Sequence, residues 1–356
     1  MQKLIQQIRA QLENKEIEAI FIESPTNRRY LSGFTGTAGA LFITKEQAYF
    51  ITDFRYIEQA AEECPEFEIV KHEKGIISET ARLTELLSLK AVGFEEEYVT
   101  YQQYTQMKKQ IHAELVPTSS IVEHVRLYKT PEEIAVLKEA AAIADRAFDH
   151  ITTFIKPGMK ETEVSNELEF FMRREGAVSS SFDIIVASGW RSALPHGVAS
   201  SKIIEGGELV TLDYGAYYKG YCSDITRTIA VGEPTSELKK IYQTVLEAQL
   251  LAVEQIKPGM TGIEADQIAR AHIEQAGYGK YFGHGLGHGL GMEVHEGPRL
   301  SPKGSQVLEP GMVVTVEPGI YVPKAGGTRI EDDIVITEEG NEVLTYAPKE
   351  LVIVGE

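Results

Sequence analysis

Four carboxylates and one imidazole stand at the ends of apolar, strand-like runs in the second half of this 356-residue chain: Asp213, Asp224, His288, Glu317 and Glu331. Each has its own string: VTLDYG, GYCSDITRTI, GHGLGHGLGMEVHE, VTVEPGIY and GTRIEDDIVI. A lone aspartate in a strand is ordinarily a cap or a surface residue. Four acids among buried-looking neighbours are costly to bury unless a cation neutralises them. Oxygen donors with a single imidazole suit a pair of divalent ions, Mn²⁺, Co²⁺ or Fe²⁺, and Zn²⁺ is also compatible. The chemistry this set could do is metal-assisted hydrolysis at a two-metal centre.

Further histidines accompany the acids. His196, His284 and His295 join His288 in the same half-chain, and four imidazoles around one acid cluster favour a site over isolated core histidines. Glycines at 283, 285, 287, 289 and 291 alternate with His284 and His288, a backbone suited to close approach. Strand alternation should turn Asp213 to the same side as Thr211, with Val210 and Leu212 packed behind. Gly215 and the Pro318-Gly319 pair are expected to end their strands and leave room beside the carboxylates.

An internal repeat supplies the elements that must position these groups. Ile155-Lys-Pro-Gly-Met159 recurs as Ile256-Lys-Pro-Gly-Met260, shifted by 101 residues, with Glu163 matching Glu264 and Gly176 matching Gly277. Val210–Gly215 matches Val314–Gly319, shifted by 104, so Asp213 aligns with Glu317 and Asp224 approximately with Glu331. Each half-repeat then delivers two carboxylates, on strands lying side by side about a pseudo-twofold axis. Ahead of the repeat, Thr130-Pro-Glu-Glu reads as a helix start, followed by one apolar face at Ile134, Leu137, Ala141, Ala144, Phe148 and Ile151.

The first ~120 residues read as an α/β unit. A helix near Met1–Asn14 precedes strands at Ala19–Ile22, Ala40–Thr44, Tyr49–Asp53, Phe67–Lys71 and Ala91–Phe94, with a helical pattern over Arg55–Glu63. Tyr30-Leu-Ser-Gly-Phe34 reads as a loop between strands, since it lacks nucleotide-fingerprint spacing. A domain boundary is expected near residue 125, giving units at 1–125 and 126–356.

Composition narrows the class. A net charge of −18 argues against nucleic acid as a partner, and 43% hydrophobic residues is enough for two cores. Cys64 and Cys222 are far apart, which supports neither a disulfide scaffold nor a zinc cluster. Cys222 reads as a small buried strand residue rather than a nucleophile. No apolar run approaches membrane length and no signal-like core opens the chain, so a cytoplasmic enzyme away from membranes is expected.

Together these strings resemble the pita-bread metallopeptidases, the group containing methionine aminopeptidase, aminopeptidase P and prolidase. The likeness runs from about Lys129 to the C-terminus and includes SFDIIVASGWRSALPHG. Upstream, YLSGFTGTAGALFIT and TDFRYIEQA resemble the N-terminal domain shared by prolidase, aminopeptidase P and creatinase. The fold implied is an α/β N-terminal domain followed by an α+β pita-bread catalytic domain with a pseudo-twofold repeat. By the same resemblance, Asp224 and Glu331 bridge two metal ions, Asp213 serves one ion alone, and His288 with Glu317 completes the other. It also implies attack of activated water on the scissile carbonyl, Glu317 as proton carrier, and His196 and His295 as contacts to the reacting group. His284 is placed near the site, and Arg329 is placed to orient a ligating carboxylate.

The resemblance further implies an exopeptidase acting on Xaa-Pro bonds of dipeptides or short peptides. Prolidase leads aminopeptidase P, partly through the string His295-Glu-Gly-Pro-Arg299, in which Arg299 would hold a dipeptide's carboxylate. A creatinase-like C–N hydrolase would lack the ligands, and a fold kept only as a binding module would have lost them. A homodimer is expected, with Asp53, Arg55 and Tyr56 in the segment that would reach the partner.

Overall fold

The computed structural model describes residues 2–355. The chain divides into two compact units between Arg126 and Leu127.

The first unit is built on a six-stranded mixed sheet. Its spatial order is Glu68–Lys71, Ala48–Thr52, Ala40–Thr44, Ala19–Ile22, Ala91–Glu95 and Glu114–Thr118. Three of the four inner runs, Ala48–Thr52, Ala40–Thr44 and Ala19–Ile22, are buried at every position, as expected of strands packed on both faces, so they read as continuous apolar segments. The helix expected over Arg55–Glu63 starts at Ile57, because Asp53 and Arg55 form an ion pair of 2.8 Å ahead of it. The reading of Tyr30–Ser32 as loop is corrected. These residues close a helix, Pro25–Ser32, whose N-cap Ser24 accepts the Asn27 N–H and which stops at Gly33 in the left-handed region. A Ser-Pro start with a Gly stop is the helix signature that outweighs the local glycine content.

The second unit shows the repeat directly. Helices Pro131–Phe154 and Ser236–Gln255 each end at an isoleucine, Ile155 and Ile256, and lead into helices Glu161–Arg174 and Gly262–Gln275. The two shorter helices start alike. Glu163 accepts the Lys160 N–H and Glu264 accepts the Thr261 N–H, each at 2.7 Å. They also finish alike, on the left-handed glycines Gly176 and Gly277. Thr130 caps its helix with a reciprocal Glu133 contact.

Each half then supplies an antiparallel pair. Glu208–Tyr214 lies against Ile225–Val231, and Val313–Val316 lies against Asp332–Ile336. Val210 and Leu212 are buried in one core with Phe148 and Ile229, and Val314 and Val316 are buried in another with Ile334. The halves are stitched where the pairs meet, since the Glu331 N–H donates to Thr226 O at 3.0 Å. Beneath that seam Arg227 is almost wholly buried. It donates to Asp332 Oδ1 at 2.7 Å and to the Ala347 carbonyl at 2.8 Å. A buried arginine so fully partnered fixes the relative register of the two halves. Among the described residues, no helix is long and apolar enough to cross a membrane.

Candidate metal centre

The four sequence-derived acids sit at or beside strand ends on both sides of the seam, and His288 sits within a short strand. Asp213 is the penultimate residue of Glu208–Tyr214, and Asp224 directly precedes Ile225–Val231. Glu317 directly follows Val313–Val316, and Glu331 directly precedes Asp332–Ile336. His288 is the middle residue of Gly287–Gly289. The neighbouring glycines admit this strand. A Cβ on Gly287 would lie 2.0 Å from Thr315 O, and one on Gly289 would lie 1.8 Å from Gly297 O. Only bare backbone lets the strand press between its neighbours with the imidazole directed inward.

Expected room beside the carboxylates is not what Gly215 and Gly319 provide. A Cβ on Gly215 would meet Ser223 O at 1.7 Å, and one on Gly319 would meet the Tyr321 hydroxyl at 2.4 Å. Both glycines permit close packing rather than open space.

Asp224, His288 and Glu331 bring ligand atoms within 4.8 Å of one another. Glu317 Oε1 lies 3.3 Å and Asp224 Oδ2 3.8 Å from His288 Nε2. Asp213 lies at the Arg329 side of the cluster, where its Oδ2 is ion-paired with Nη2. The donor chemistry fits cations. Asp213 Oδ1, Asp224 Oδ1 and Glu331 Oε1 are buried and have no hydrogen-bond partner among the described residues. The second oxygens of Asp213 and Glu331 are held, by Arg329 and by Thr226 Oγ1 at 2.6 Å. Thr315 Oγ1 contacts Glu317 Oε1 at 3.2 Å. His288 Nδ1 lies 3.1 Å from Gly289 O, so it carries the proton and leaves the Nε2 lone pair directed at the acids.

Electrostatics agree with that fit. Burial first, then the Glu331 and Asp213 charges, hold Asp224 well above the usual carboxylate range. Burial and the Glu317 and Asp213 charges do the same to Glu331. Burial pushes Glu317 up to about 7 despite the opposing Arg329 charge. These buried acids repel one another, and divalent cations would relieve both the burial cost and the repulsion. Burial also lowers His288, keeping its imidazole neutral.

Around this centre, the His295 ring lies tilted against that of His288, with centroids 4.4 Å apart. It is held below its ordinary value by burial, then by His288 and His196, with Arg299 adding to the effect. His196 and Arg299 are exposed, and Arg299 pairs across the strands with His288. His284 is different. Its Nδ1 donates to Gly285 O at 2.7 Å, and its Nε2 accepts from the Tyr321 hydroxyl at 2.8 Å. Tyr321 in turn accepts from Arg329 Nη1 at 2.8 Å. Both ring nitrogens of His284 are therefore committed within the protein, and burial with the Arg329 charge holds it down to about 4.

Thr226, Thr315, Tyr321 and Asp333 were not singled out in the sequence. Thr226 and Thr315 lie two residues from Asp224 and Glu317, so the period of a strand could have found them. Asp333 accepts the Asp224 N–H at 3.0 Å, and burial holds it well above the carboxylate range. Cys222 is buried with its thiol pushed up to about 12 by burial, which removes it as a nucleophile.

The model of metallopeptidase family M24 matches residues 135–338, and that of the creatinase/prolidase N-terminal domain matches residues 5–128. An uncharacterized peptidase of Bacillus subtilis is 61% identical over 95% of this chain and 96% of its own. The structure of an Xaa-Pro dipeptidase from Bacillus anthracis is 59% identical and superposes with a TM-score of 0.98, covering 99% of each chain. An X-Pro aminopeptidase from Thermotoga maritima is 40% identical with a TM-score of 0.90, covering 95% of this chain and 98% of that one.

Proposed function

The chain belongs to metallopeptidase family M24, and from that premise we propose that it is an Xaa-Pro dipeptidase whose centre holds two divalent ions, Mn²⁺ or Co²⁺. The observation that carries the reading is the set of three partnerless buried carboxylate oxygens, on Asp213, Asp224 and Glu331, beside His288 Nε2. In this reading Asp224 and Glu331 would be shared between the ions, Asp213 would help to hold one of them, and His288 with Glu317 would help to hold the other. When bound, the ions supply Lewis acidity and an activated water for attack on the scissile carbonyl.

The remaining steps belong to side chains. Glu317, beside His288 Nε2, takes and returns a proton and carries it to the leaving imino nitrogen. His196 and His295 contact the carbonyl side of the substrate. Arg329 fixes Asp213, while Tyr321 and His284 brace Arg329 from behind, so His284 is assigned to positioning.

Preference for a dipeptide rests on Arg299. A dipeptide ending in proline carries a free carboxylate one residue beyond the scissile bond, and a guanidinium can hold both of its oxygens. Similarity to the Bacillus anthracis dipeptidase supports this choice over the aminopeptidase reading favoured by the Thermotoga structure. Arg299→Ala should lose about ten- to hundredfold in kcat/KM on Ala-Pro, the value of one charge-assisted contact, and little on an Xaa-Pro-Xaa tripeptide. An equal loss on both substrates, or a parent enzyme preferring the tripeptide, moves the assignment to an aminopeptidase.

A further inference from the structure

The segment between Ser188 and Ser200 carries His196, and one buried carboxylate outside the metal cluster closes it. Glu161, the first residue of the Glu161–Arg174 helix, is fully buried. Its Oε1 accepts from the Ser188 N–H and the Ser188 hydroxyl, both at 2.8 Å. Its Oε2 accepts from the Ser200 N–H at 3.1 Å and the Ser200 hydroxyl at 2.7 Å. Arg191, within the segment, is ion-paired to the same oxygen, and its Nη2 donates to Val198 O at 2.8 Å. One carboxylate thus grips both ends and the middle of the segment. A second contact reaches the same segment, since Arg329 Nη1 donates to Pro195 O at 3.1 Å. His196 lies between the two grips, next to Pro195 and two residues before Val198.

The internal repeat provides a control. Under the 101-residue shift, Glu161 corresponds to Gly262. The backbone is equivalent at both places, since Glu161 N–H donates to Lys202 O and Gly262 N–H donates to Gln306 O, each at 3.0 Å. Yet a Cβ on Gly262 would stand 2.0 Å from Arg299 O. The architecture therefore does not require a carboxylate at this helix start. Only the half that carries His196 has one.

We propose that Glu161 is a positioning residue for His196, acting through Arg191 and the two serines to hold the histidine toward the reacting group. This rests on the assignment of His196 to the site made above. The test is a double-mutant cycle on Ala-Pro with Glu161→Gln, His196→Ala and the pair. An amide in place of the carboxylate keeps one acceptor oxygen and turns an NH2 toward either Ser188 or the Arg191–Ser200 side, so one side of the grip fails and the Arg191 charge loses its partner without a change in volume. Expected is a tenfold or larger fall in kcat for Glu161→Gln alone and no further fall when it is added to His196→Ala. Metal content should be unchanged, and amide hydrogen exchange over 188–200 should accelerate. Arg191→Met, which cuts the same grip from the other end, serves if Glu161→Gln does not fold, with the same pattern expected. Losses that multiply in the double variant, or unchanged exchange over 188–200, overturn the proposal while leaving His196 in place. An undiminished His196→Ala enzyme overturns the assignment of His196, and the role of Glu161 with it.

Discussion

At the scale of single residues, the centre is governed by which carboxylate oxygens are already held and which are free. Glu331 Oε2 is occupied by Thr226 and Asp213 Oδ2 by Arg329, whereas one oxygen each of Asp213, Asp224 and Glu331 has no hydrogen-bond partner among the described residues. A carboxylate shared by two ions matters more than one serving a single ion. Asp224→Asn or Glu331→Gln should therefore lose at least a thousandfold in kcat and fall well below two ions per chain by elemental analysis. Asp213→Asn should lose mainly one ion, with activity partly restored by excess Mn²⁺. Near-normal turnover in Asp224→Asn would sink the bridging assignment. Asp213 also pairs with Arg329, so the same substitution should loosen the Tyr321 and His284 contacts that depend on that arginine.

Elements decide where these residues point, and much of that was legible in the chain. The repeated IKPGM string, the matched Glu163 and Glu264 and the matched Gly176 and Gly277 mark two copies of one helix, because capping and left-handed stops depend on local residue type. Asp213 and Glu317 were equally visible as acids closing apolar runs. Pairings between distant segments were not legible. Nothing local to Arg227 announces that it will meet Asp332 and the Ala347 carbonyl, and nothing near Glu161 names Ser188 or Ser200 as its partners. The glycines of the His288 strand fall between these cases, since their alternation is visible but the carbonyls pressing on them are not. Gly289→Ala would set a methyl 1.8 Å from Gly297 O, forcing the His288 strand away from its neighbour. We expect a destabilisation of about 1–3 kcal/mol from this overpacking and at least a tenfold weaker hold on metal. Denaturant melts and metal titration check this, and an Ala variant with parental metal affinity would show that the strand has slack.

For the whole molecule, two properties follow from the reading of a dinuclear peptidase. A homodimer is proposed from the family likeness, and sedimentation velocity at assay concentration should give about twice the chain mass. A fully active monomer would reject it. The second property is a link between pH, metal and stability. Burial raises Glu317 from an ordinary 4.5 to about 7, so the metal-free folded chain keeps a proton that the unfolded chain releases between those values. A group whose folded value is raised in this way makes the metal-free protein less stable as pH climbs through that window. Asp224 and Glu331, raised well above the usual range for the same reason, push in the same direction. A divalent cation binds only the ionised form, competing with those protons and reversing the trend. Mn²⁺ at about a hundred times its Kd should stabilise the chain by about 2.7 kcal/mol, a rise of roughly 5–10 °C in Tm for a unit of this size. That rise should be largest near pH 8 and should shrink toward pH 5.5, where protons occupy the acids. Calorimetric titration near pH 6.5 in two buffers of different ionisation enthalpy should also register protons released on binding. Equal thermal gains at both pH values, with no proton release, would mean that the acids are already ionised without metal and that the cluster is not the cation's binding site.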